Sequence, residues 1–175
     1  MRTTPYRVLG PGWGIAIDLT AEAALTPAPS LNGDRLGARI RLDVTPIRDH
    51  RPADRSGRCL TPAELGWLRY GLELMSTDIE ATLPPDHHLL LTAHRVLFPE
   101  TDFQPKGLAG AMAKWCQEEF TLTHDPTTPV MYAPDDHEFV YAWEPPHPDR
   151  RLTATRLTHR ERAQRGAPVR LLGSP

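Results

Sequence analysis

At 175 residues, with 39% hydrophobic and 24% charged side chains, the chain has the composition of one globular domain, and neither a disordered nor a membrane protein is expected. No apolar run approaches the roughly 18 residues of a spanning helix, no apolar leader follows the first residues, and Cys59 and Cys116 are too few for a disulfide framework. The net charge of −2 conceals a split, because residues 145–175 hold Arg150, Arg151, Arg156, Arg160, Arg162, Arg165 and Arg170 against Asp149 and Glu161, giving a tail of +5 and a body of −7.

These features predict one cytoplasmic domain over residues 1–144, followed by a basic Pro/Arg-rich tail over residues 145–175; the element patterns below make that domain α+β. Such a tail suits nucleic acid or an acidic partner. Arginine outnumbers lysine eighteen to two, the bias of a GC-rich bacterial genome. The first element is a strand over residues 13–19, where Trp13, Ile15, Ile17 and Leu19 alternate with Gly14, Ala16 and Asp18. A second strand covers residues 36–44, with Leu36, Ala38, Ile40, Leu42 and Val44 on one side and Arg39, Arg41 and Asp43 on the other. The two are expected to form a long hairpin joined by the turn-rich segment 20–34. Residues 46–58 read as a charged loop.

Thr61-Pro62-Ala63-Glu64 is a capping box with proline at the first helical position, and it opens a helix that runs to Pro84-Pro85. Leu65, Leu68, Leu72, Met75 and Ile79 form its core stripe. Trp67, Tyr70 and Leu74 form a second stripe on the far side, to be covered by the chain's own arms or by a partner. Residues 87–98 read as a strand, with Leu89, Leu91, Ala93 and Leu97 inward and His88, Leu90, Thr92, His94 and Val96 outward. A second helix spans 105–119 with Leu108, Ala111, Met112, Trp115 and Cys116 inward; Glu119 falls in that face, which suggests that the helix frays before it or that an arginine meets it. Segments 130–133 and 138–143 flank a turn at 134–137 and read as a hairpin.

The expected architecture is one mostly antiparallel sheet with two helices on one face, in the order β-β-α-β-α plus a C-terminal hairpin. Over residues 36–120 this order resembles ribosomal protein S5 domain 2 and elongation factor G domain IV: a strand, a helix opening with Pro62, a long strand, a short loop carrying Asp102 and a second helix. The resemblance implies a fold and carries no functional residue with it. A glycine-rich entry strand and a GTPase domain have no counterpart here.

Histidine and aspartate recur together at Asp49-His50, Asp86-His87-His88, His124-Asp125 and residues 135–137, all at loops or element ends. Their spacing fits no zinc signature, and turn chemistry accounts for them; no metal and no cofactor is expected. Cys59, near Arg55 and Arg58, is a candidate reactive thiol. With both helices on one face of the sheet, the other face gathers Asp18, Arg39, Arg41, Asp43, Thr92 and His94. The leading reading is therefore a cofactor-free binding or accessory protein engaging a protein or a polar ligand, with Arg39, Arg41 and Thr92 as ligand-binding residues and Trp67, Tyr70 and Leu74 as a partner surface. The alternatives are a small cyclase, isomerase or dehydratase using His94 with Asp18 or Asp43 as acid and base, and nucleic-acid binding through the tail.

Overall fold

The computed structural model describes residues 1–10, 14–49, 60–128, 130–133 and 138–143. Residues Met1–Ala142 form one compact unit. Trp13, His50, Arg55, Arg58, Cys59, residues 134–137 and the arginine tail lie outside the described residues.

The fold is α+β. A five-stranded mixed sheet is built from β1 (Arg2–Leu9), β2 (Gly14–Thr26), β3 (Asp34–Arg35), β4 (Ile40–Asp43) and β5 (His88–Leu97), in the order β1-β2-β5-β4-β3. All neighbours are antiparallel except β4 and β5, which run parallel. Three helices, α1 (Thr45–Asp49), α2 (Pro62–Thr82) and α3 (Gly107–Phe120), join this sheet, and β6 (Val130–Ala133) with β7 (Glu138–Tyr141) make a separate two-stranded sheet.

Two expectations about the sheet are corrected. The strands at 13–19 and 36–44 do not form a hairpin. β2 extends to Thr26 and pairs with β1 and β5 instead. Arg2–Leu9, where no strand is expected from the sequence, form the outermost strand of the sheet, and Pro5 is tolerated on that edge. The segment at 36–44 is itself folded back. Leu36 N–H donates to Ile40 O at 3.0 Å, so β3 and β4 form a tight antiparallel pair around residues 36–40. Gly33 takes φ +76° at its entrance, and a Cβ there would lie 2.6 Å from Leu42 O, so only glycine fits without strain.

A β-bulge corrects the strand-face reading of β5. Thr20 faces Arg95 while Ala21 faces Ala93, which leaves His94 as the extra residue. The bulge resets the alternation, so Val96 turns inward at 6% exposure and Leu97 turns outward opposite Asp18.

The capping box of α2 forms as the sequence predicts. Glu64 N–H donates to Thr61 Oγ1 at 3.3 Å, and Thr61 N–H donates to Glu64 Oε2 at 2.7 Å. Leu68, Leu72, Met75 and Ile79 are fully buried on one stripe, and each such side chain contributes about 1.5–3 kcal/mol. Gly71 lets α3 approach, since a Cβ there would collide with the backbone of Ala109. On α3, Leu108, Ala111, Met112, Trp115 and Cys116 are fully buried. Glu119 is inside the helix and not in a frayed end; it meets Arg2 at 3.3 Å. Trp115 Nε1–H donates to Arg2 O at 3.2 Å, which ties β1 to the same helix.

Candidate functional site

The polar face of the sheet carries most of the side chains that sequence reasoning selected, but the register distributes them. Asp18 lies in the row of Leu97, whereas Asp43 lies in the row of Thr92. Five positions along β5 separate the two rows, about 16 Å at strand spacing. Asp18 is held by Arg7, whose Nη2 is 2.6 Å from Oδ1. Asp43 Oδ1 accepts from Thr45 N–H at 2.8 Å in a turn that leads into α1. His94, on the bulge, meets neither. Its Nε2 is sealed from solvent and lies 3.0 Å from Glu22 Oε1, at ion-pair distance but out of hydrogen-bond alignment.

Glu22 lies beyond the strand that alternation predicts, which ends at Leu19, and falls inside β2 because the strand continues to Thr26. Thr92 stands between Glu22 and Asp43 in one cross-strand row. An imidazole beside a carboxylate can exchange a proton, so His94 with Glu22, not with Asp18 or Asp43, is the acid–base pair this face offers. The second stripe of α2 is half-buried: Trp67 and Tyr70 meet edge to face with centroids 6.1 Å apart, and Leu74 is half-buried beside them.

The most concentrated chemistry lies at the other end of the sheet. A cavity of about 260 Å³ is lined by Arg35, Arg39, Arg41 and His88 together with Ile40 and Leu89, with Ser30 contributed by the loop after β2. Here the structure brings together Arg39 and Arg41, which the sequence selected, with Arg35 and His88, which it did not. Thr92 lies farther along β5 and does not line it. Arg35 and Arg41 are direct cross-strand partners. The signal for Arg35 was Gly37, a glycine inside a strand-like run, which marks a bend.

Each guanidinium in the cavity is anchored on backbone carbonyls. Arg35 Nε donates to Gly37 O at 2.9 Å, and Arg41 Nη1 donates to Gly33 O at 2.9 Å. Arg39 departs from the open face: Nη2 donates to Glu80 O at 2.5 Å and Nη1 to Pro84 O at 3.0 Å. It thereby caps the carboxyl end of α2, where the helix dipole favours a cation. Among the described residues, no carboxylate stands within ion-pairing distance of Arg35, Arg39 or Arg41, although the side chains of Arg2, Arg7 and Arg69 all have one. The Glu80 carboxylate is engaged by the backbone instead, accepting from Arg39 N–H at 3.0 Å.

A second cavity, about 570 Å³, opens beside β1 among Tyr6, Arg7, Lys114, Gln117, Asp125 and Thr127. Its polar groups already serve one another or their neighbours. Burial acts to raise the Asp125 pKa, but hydrogen bonds from Thr128 and Thr127, helped by the Lys114 charge, hold the carboxyl below its ordinary value. Cys116 is a free thiol whose pKa burial pushes up, as expected of an inert core cysteine. Among the described residues, no group of three or more His, Cys, Asp and Glu side chains is placed to share a metal ion, and no helix is long and apolar enough to cross a membrane.

Compared with known proteins, the chain matches no family model, no curated sequence and no solved structure.

Proposed function

We propose that this protein is a binding or accessory protein that holds a small anionic ligand in the cleft between Arg35, Arg39 and Arg41. One observation carries the reading: Arg35 and Arg41 face each other across neighbouring strands without a described carboxylate to neutralise them. Like charges directly opposite on a sheet are unfavourable, and a bound anion removes that penalty while using the N–H groups that the backbone carbonyls leave open. A cytoplasmic setting belongs to the same reading; the free, buried Cys116 suits a reducing compartment.

The test is thermal denaturation in sodium phosphate, sulfate or malate against chloride at matched ionic strength. An anion that binds only the folded state raises the Tm as its concentration grows past its Kd. The expected result is such a rise in the wild-type chain and its loss in Arg41→Gln. Equal melting in all four salts overturns the reading.

A further inference from the structure

We infer that the group bound in this cleft is the phosphoryl dianion of a small phosphomonoester, an inference that rests on the anion-binding reading above. Three features of the cleft select it.

The first is charge. Among the described residues, three arginines line the cavity and no carboxylate does. A monocarboxylate leaves most of that charge uncompensated, whereas a phosphomonoester is close to doubly charged near neutral pH.

The second is the disposition of donors. Arg39 spends both Nη groups on Glu80 O and Pro84 O and acts mainly as a fixed positive charge. Arg35 spends only Nε, which leaves its Nη1–Nη2 edge open, and Arg41 spends only Nη1, which leaves its Nε–Nη2 edge open. Two forks thus stand on adjacent strands. A planar carboxylate has two oxygens and satisfies one fork; the three terminal oxygens of a tetrahedral phosphoryl group satisfy both.

The third is size and lining. The cavity, about 260 Å³, falls below the roughly 300 Å³ at which drug-sized ligands begin. Pro29 and Ala38, both exposed, supply apolar wall for a short carbon body. Among the described lining residues the imidazole of His88 is the one aromatic ring, so they form no extended stacking platform of the kind on which nucleic-acid binders hold bases.

The experiment is isothermal titration of the full chain at constant ionic strength with glycerol 3-phosphate, inorganic phosphate, malate and adenosine monophosphate, beside co-sedimentation with phosphatidate vesicles. Glycerol 3-phosphate is expected to bind at one site, at least tenfold tighter than malate. Arg35→Lys and Arg41→Lys keep the charge but lose the fork, and each is expected to weaken glycerol 3-phosphate by about tenfold or more. Circular dichroism confirms that the variants fold; Arg35 is exposed on an edge strand, so its variant keeps the test available if Arg41→Lys does not fold. Malate binding as tightly as glycerol 3-phosphate overturns the phosphoryl assignment but leaves anion binding intact. Adenosine monophosphate binding much more tightly than glycerol 3-phosphate overturns the small-ligand assignment. Binding to phosphatidate vesicles without binding to glycerol 3-phosphate moves the same headgroup chemistry to a lipid surface and overturns a soluble ligand. No heat from any anion overturns both this inference and the reading beneath it.

Discussion

Arg35 and Arg41 are direct partners across the β3–β4 pair, each guanidinium held by a backbone carbonyl and neither neutralised by a described carboxylate. A like-charged cross-strand pair is destabilising by an amount on the order of 0.2–1 kcal/mol. Arg35→Gln is therefore expected to raise the Tm of the ligand-free protein at low salt by about 1–3 °C. The gain should shrink in concentrated salt, which screens exposed charges. Melting curves at two ionic strengths check both parts, and a lower Tm at low salt would show that the carbonyl anchor outweighs the repulsion.

Two glycines of α2 predict opposite signs. Gly71 lies against the backbone of Ala109, and an added Cβ forces α2 and α3 apart; Gly71→Ala is expected to cost about 1–3 kcal/mol. Gly66 has nothing within 4 Å of its would-be Cβ, and Gly66→Ala should stabilise by about 0.5–1 kcal/mol through helix propensity. Urea denaturation of both variants measures the difference, and the same sign for the two would contradict the helix contact.

The capping box makes a third prediction. Thr61→Ala removes the acceptor for Glu64 N–H and should cost about 1 kcal/mol, while Thr61→Ser should be close to neutral. Chemical denaturation with an unchanged m-value would attribute the loss to stability alone.

Asp125 sets an acid limb to the stability profile. Its pKa is depressed in the folded state by Thr128 and Thr127 against the opposing effect of burial. The sign follows from linkage: the contribution is complete above the unfolded carboxyl value, about 3.9, and is lost as the pH falls through the lower folded value. The Tm difference between wild type and Asp125→Asn should thus be constant near neutrality and narrow below about pH 4. A difference that is flat down to pH 2 would remove Asp125 from the acid transition.

Local chemistry alone was enough for the long elements. The Thr61–Glu64 box, the leucine stripe of α2 and the apolar face of α3 follow from capping and from a period of 3.6, which need no distant partner. Strand pairing does need one. Alternation marks a strand without naming its neighbour, so β2 is expected beside the wrong strand, its outer partner β1 goes unpredicted, and the bulge at His94 reverses the expected faces of Val96 and Leu97. The α+β class, with Arg41 in β4 and Arg39 just before it, was thus legible in the sequence. Their assembly was decided only in three dimensions: folding 36–40 into a tight turn set Arg35 opposite Arg41, and the end of α2 drew Arg39 onto two carbonyls. Cross-strand register joins residues that the chain keeps apart, and that register, not any motif, makes the cleft.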